Sequence, residues 1–264
     1  MGRNVNMHHC LFVLLDCNTV WPGLCLLYNM VSKRFLKGLG VVSVEMIGAM
    51  AVFTAAIAGI VFTVRPYFRR HRAVDSDVFS ALHPFTNDTN TSIMEVITTL
   101  AKHQFLIPAN ICLILYFLLV RKRTWFSIRV ATIALSSLIL MFMLKELFQR
   151  HRPEQPVGLP AAGLSFPSGH AIMSVTFYGL LIYIVIHTVK NKPLRVALIS
   201  FLVALIFAIG FSRVYLRVHY TSDVVGGFTI GLMWLFISLA ILKRIEDYNK
   251  ENNKLPAQVI KGSQ

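Results

Sequence analysis

LRVALISFLVALIFAIGF, residues 194–211, runs directly into SRVYLRVHYTSD, residues 212–223, and from there into a second apolar run over 222–242. A bilayer core of about 30 Å takes on the order of 20 mostly apolar residues in a helix. The first string meets that length, and Pro193 just ahead of it suits a first helical turn. The dense polar segment that follows holds two arginines, a histidine and an aspartate where the chain leaves one expected span and enters the next. Ionisable groups at membrane depth are costly to keep and usually serve a function.

The same alternation recurs along the chain. Apolar runs bounded by charge cover 41–64, 105–120, 126–144 and 171–189 as well, making six expected spans. The composition agrees: 55% of the 264 residues are apolar and only 14% are charged, and the mean hydropathy is +0.62. An ordinary soluble domain is excluded. The net charge of +14 lies in short clusters between apolar runs rather than along one basic stripe, so nucleic acid is not the expected partner. The fold class expected is all-α, a polytopic six-helix membrane bundle.

Orientation follows from the basic residues. One side collects Lys33, Arg34, Lys37, Arg121, Lys122, Arg123, Arg129, Lys190, Lys192, Arg195, Lys243, Arg244, Lys250, Lys254 and Lys261. The other collects Arg65, Arg69, Arg70, Arg72, Lys102, Lys145, Arg150, Arg152, Arg213 and Arg217. Fifteen against ten makes the first side, with both termini, cytoplasmic. The expected organisation is an N-terminal segment over 1–34, interfacial or upstream of a true start at Met30, then a membrane domain over 35–243 and a polar cytoplasmic tail over 244–264, loosely ordered beyond Tyr248. Residues 65–104 are long for a connection, and their mixed apolar and polar sequence predicts short amphipathic helices on the membrane surface, with an irregular loop as the alternative.

Three polar segments fall at helix ends on one side. In the first, Lys145 precedes Arg152 by seven positions, about two helical turns, which puts both cations on one face if the helix continues. In the second, Pro167-Ser168-Gly169-His170 opens an apolar helix. Helix starts offer unpaired N–H groups and a positive dipole end, a setting that suits phosphate. In the third, His219 and Asp223 stand four apart, and one helical turn places carboxylate beside imidazole. An aspartate on Nδ1 leaves the Nε2 lone pair free as a nucleophile. Each segment alone has an ordinary reading: a snorkelling basic cluster, a plain N-cap, a surface pair. Their conjunction at one face carries the argument.

Together these segments resemble the membrane members of the type 2 phosphatidic acid phosphatase family, related to the vanadium haloperoxidases. Lys145, Arg152 and Pro153 match its Lys-x6-Arg-Pro element, Pro167 to His170 its Pro-Ser-Gly-His, and Ser212, Arg213, His219 and Asp223 its Ser-Arg-x5-His-x3-Asp. The resemblance implies that His219 is the nucleophile forming a phosphoenzyme, that Asp223 orients it and that His170 protonates the leaving group. Lys145, Arg152 and Arg213 would hold phosphate oxygens, with Ser168 and Gly169 adding hydrogen bonds, and neither metal nor cofactor is implied. The four cysteines, Cys10, Cys17, Cys25 and Cys112, show no metal-binding spacing of their own.

The expected activity is hydrolysis of a lipid phosphate monoester or diphosphate, such as phosphatidic acid, phosphatidylglycerol phosphate or undecaprenyl diphosphate. The site is expected on the outer face of a cell membrane, most simply a bacterial plasma membrane. An anion-binding transporter or channel is the alternative, though it has no need of a His/Asp pair. A vanadium-dependent peroxidase is disfavoured because those relatives are mostly soluble. Gly226, Gly227 and Gly231 are read as helix-packing residues. Arg150, His151 and Arg217 match no signature position and are expected to face solvent or head groups, with Glu146 pairing to Arg150.

Overall fold

A computed structural model of the chain describes residues 44–59, 62, 72–158 and 161–261, all within one compact unit. The N-terminal segment expected over 1–34 lies outside the described residues. Among those described, every regular element is helical: α1 Val44–Gly59, then α2 Arg72–Leu82, α3 Asp88–Thr99, α4 His103–Leu115, α5 Thr124–Phe148, α6 Gly169–Thr188, α7 Lys192–Tyr215 and α8 Thr221–Lys261. Five stretches are long and apolar enough to cross a bilayer: Asp88–Val120, which joins α3 and α4 through to a π turn, then α5, α6, α7 and α8 over Thr221–Lys250. The first expected span corresponds to α1, which over its described residues is a shorter apolar helix.

α6 is the centre of the bundle and packs on α5, α7 and α8. Hydrophobic burial drives little association between helices whose alternative neighbours are lipid tails, so close backbone approach has to do much of the work. Gly227 and Gly231 supply it: a Cβ at Gly227 would stand 2.9 Å from Ser168 O, and one at Gly231 would stand 3.1 Å from Ile172 O. The packing role expected of these glycines holds. Farther along, the fully buried Trp234 of α8 donates to Ser136 Oγ of α5 at 3.1 Å. Such a bond inside a membrane bundle contributes about 0.6 kcal/mol. Outward-facing Phe201 and Phe207 on α7 and Phe236 on α8 leave an apolar exterior, as a lipid-facing bundle requires.

Three differences from expectation have local causes. Residues 72–99 form the short helices expected there, α2 and α3, but part of their apolar side covers protein: Val78, Phe79 and Leu82 pack on Ala171, Val214 and Val224, and Met94 on the Tyr215–Val218 cluster, while Ile93 and Val96 stay exposed. The two helices roof the end of the bundle where the polar segments lie. Arg129, counted above as a loop cation, is instead buried inside α5 and ion-paired with Glu246 of α8. α8 continues to Lys261 rather than loosening after Tyr248. The turn just past Tyr248 is tied back at Glu246, which meets Lys250 at 2.6 Å.

Candidate active site

The three polar segments converge. α5 ends at Phe148 because Gln149 turns left-handed, at φ 47°. Lys145, in the last turn of α5, reaches across to Leu164 O. Arg152 lies beyond the helix, so the two cations do not share a helical face as their spacing suggested. Loop carbonyls return Arg152 to the site instead: Nε donates to Gly163 O at 2.9 Å and Nη1 to Val218 O at 2.7 Å.

Ser168 is the N-cap of α6. Its Oγ accepts from Ala171 N at 3.5 Å, so its own proton remains for another acceptor, and its N–H donates to Asp223 O at 3.1 Å. Gly169 permits the start of α6 to approach α5, since a Cβ there would lie 2.5 Å from Met141 Sδ. His170 follows in the first turn with Nε2 buried and free of any hydrogen-bond partner. Arg213, His219, Lys102 and Arg152 are close enough to act on it electrostatically.

His219 sits in the turn between α7 and α8, its N–H on Arg213 O at 3.3 Å. Asp223 is in the first turn of α8. The four-residue spacing therefore does not work through a shared helical turn, as expected above. The chain folds back so that Asp223 Oδ2 accepts the Tyr220 N–H at 2.9 Å, in the manner of a capping box. This leaves His219 Nδ1 3.6 Å from Oδ2, with Ser165 Oγ 3.5 Å from Nδ1 and donating to the same carboxylate. On the other edge of the ring, Nε2 faces Arg152 Nη1 at 3.2 Å. A guanidinium only donates, so Nε2 carries the lone pair and Nδ1 the proton.

The imidazole is 1% exposed and Asp223 is fully buried. Burial pushes His219 down to about 4, with Arg152 and Arg213 adding to the effect and Asp223 opposing it. It is neutral at ordinary pH. Burial also lowers Arg152 from the usual arginine value, against the pull of Asp223, yet an arginine so placed stays charged. Arg213, 6% exposed, donates Nη1 to Thr98 Oγ1 at 2.9 Å and leaves Nε without a partner. Lys145, Arg152 and Arg213 thus form three mutually repelling cations around a neutral imidazole. Such a group is built to receive a multiply charged anion.

Sequence reasoning missed several residues. Arg150, expected to face solvent, donates to Asp223 Oδ1 at 2.7 Å, Ser222 Oγ at 2.9 Å and Asp75 Oδ2 at 3.1 Å, and lies over the Tyr220 ring. Glu146 pairs with Gln149 rather than with Arg150, because the helix has ended. Arg217 donates to Phe79 O at 3.2 Å, whereas His151 is exposed as expected. Ser165 stood two residues ahead of the Pro-Ser-Gly-His segment and was overlooked. Asp75, Thr98 and Lys102 lay in what read as a connection, and no local pattern singled them out.

Residues 126–247 match the family model described as the PAP2 superfamily. The chain is 29% identical over 172 residues to phosphatidylglycerophosphatase B of Bacillus subtilis (strain 168), covering 64% of this chain and 81% of that protein. It is 30% identical over 90 residues to lipid phosphate phosphatase delta of Arabidopsis thaliana, covering 33% of this chain and 22% of that protein. Among solved structures, the fold is similar to that of the transmembrane PAP2 type phosphatidylglycerolphosphate phosphatase from Bacillus subtilis, with a TM-score of 0.60 at 23% identity over 76% of this chain and 96% of the other. It is also similar to Aquifex aeolicus LpxE, with a TM-score of 0.50 at 23% identity over 62% and 93%.

Proposed function

We propose, on the match of residues 126–247 to the PAP2 superfamily model, that the chain is an integral-membrane lipid phosphatase of that family working through a phosphohistidine at His219. The observation that carries this reading is the imidazole with its Nε2 lone pair turned to Arg152 and its Nδ1 edge turned to Ser165 and Asp223. In the first step that lone pair attacks phosphorus while the bond from phosphorus to the leaving oxygen breaks, and His170 gives that oxygen a proton. Lys145, Arg152 and Arg213 hold the equatorial oxygens, with the Ser168 hydroxyl and the Gly169 N–H contributing hydrogen bonds. In the second step water attacks phosphorus, the P–N bond breaks, and His170 takes the proton from water. Inorganic phosphate and a neutral imidazole result. Phosphoryl transfer asks mainly for alignment and charge neutralisation, and three fixed cations supply both without a metal.

The proposed substrates are phosphatidic acid, phosphatidylglycerol phosphate and undecaprenyl diphosphate. The proposed setting is a cell membrane crossed six times by residues 35–243, with the site on the outer face and both termini, including the tail over 244–264, in the cytoplasm. The unequal distribution of basic residues supports that orientation. The test is phosphate release from each of the three lipids by purified protein in detergent. Turnover of at least one is expected, unchanged by EDTA, blocked by vanadate, and reduced by about four orders of magnitude or more in His219→Ala. Wild-type activity in the alanine variant would end the reading.

A further inference from the structure

We propose that Asp75 and Arg150, which stand outside the three-segment signature, form a positioning pair that aligns Asp223 and keeps negative charge behind His219 during phosphoryl transfer. The inference rests on the phosphohistidine reading above. At 3.6 Å, Asp223 is held only loosely by the imidazole it serves. Its orientation comes from elsewhere: the Tyr220 N–H and Ser165 hydroxyl on Oδ2, and Arg150 Nη1 on Oδ1 at 2.7 Å. Arg150 is in turn fixed from three directions. Its ring-stacked guanidinium lies 4.2 Å from the Tyr220 centroid, its carbonyl accepts from Ser165 N at 2.7 Å, and its Nη2 meets Asp75 Oδ2 at 3.1 Å.

Asp75 comes from α2, an element far away in sequence. Its two oxygens accept the Ser222 N–H at 3.2 Å and the Ser222 hydroxyl at 2.9 Å, and its side chain is only 13% exposed. It therefore satisfies an N–H in the first turn of α8, where helix geometry provides no acceptor and a carboxylate is favoured. One side chain from the roof thus holds both Arg150 and the start of the helix that carries Asp223.

The charge count gives the arrangement its purpose. Arg150 alone would cancel Asp223. With Asp75 included, the cluster sums to one negative charge. When Nε2 bonds to phosphorus with the proton still on Nδ1, the ring becomes positive, and that residual negative charge stabilises it. Arginine is required because its separate nitrogens reach two carboxylates at once, which a lysine cannot do.

The test is single-turnover release of the lipid product, with enzyme in excess, from whichever of the three lipids wild type turns over fastest. Asp75→Asn is expected to slow the step about tenfold, as loss of one charge-assisted contact does, while reaction amplitude and inhibition by inorganic phosphate stay near wild type. Asp75→Glu should recover part of the rate, and Arg150→Lys should fall at least as far as Asp75→Asn. An unchanged rate constant in Asp75→Asn, or a reduced amplitude at an unchanged rate, overturns the pair's role and leaves the phosphohistidine reading standing. Failure of wild type to release product from any of the lipids overturns both.

Discussion

A histidine enclosed as fully as His219 resists protonation, and this makes its ring one source of the molecule's acid sensitivity. Its folded value of about 4 lies below the roughly 6.5 of an unfolded histidine. Between those values the unfolded chain binds more protons than the folded one, so stability falls as pH drops through that window and is retained above it. Thermal unfolding in detergent at about pH 7 and about pH 4.5 should show a loss of stability, of which His219→Gln removes the share of this ring, up to roughly 3 kcal/mol. An equal loss in the variant would assign the acid sensitivity to other groups. The signature residues themselves were legible from their types and spacing. Ser165, Arg150 and Asp75 were not, because a serine in a loop or an aspartate on an amphipathic helix has no local mark of its tertiary partner.

At the scale of elements, the site is a matter of how closely α8 lies on α6. Gly227 faces Ser168 backbone, and an added methyl has nowhere to go without pushing apart the helix starts that carry Asp223 and His170. Gly179 is the useful contrast, since a Cβ there would meet only Leu235 Cδ2, the far end of a flexible side chain. Gly227→Ala is expected to cost about 1–3 kcal/mol of stability and most of the activity, and Gly179→Ala well under 1 kcal/mol. Paired melting curves and phosphate-release assays would decide it, and equal effects would refute the argument. Helical runs were readable because lipid imposes length and polarity on any spanning helix. Their ends were less so. The seven-residue and four-residue spacings in the site segments both suggested helix, but the left-handed Gln149 and the fold-back at Tyr220 bring the same side chains together through loops.

For the whole molecule, the order of helices places Arg121–Arg123, Lys190–Lys192 and Lys243–Arg244 at the bundle end away from His219 and the cations around it. Arg129 drops out of the orienting count because Glu246 neutralises it, but those clusters remain. A fluorescent protein fused after Gln264 should therefore fold and fluoresce on the cytoplasmic side, and alkaline phosphatase fused there should stay inactive. The reverse pattern would invert the topology. The roof formed by α2 and α3 was the part least visible in the sequence, because its apolar residues fit a membrane surface and a protein surface equally well. Trp234, sealed between α5 and α8 with Phe53 of α1 beside it, gives the chain an optical gauge of its own. With Trp21 and Trp125 changed to phenylalanine, the remaining indole emission would report directly, without an attached dye, on whether these three helices stay in register during turnover.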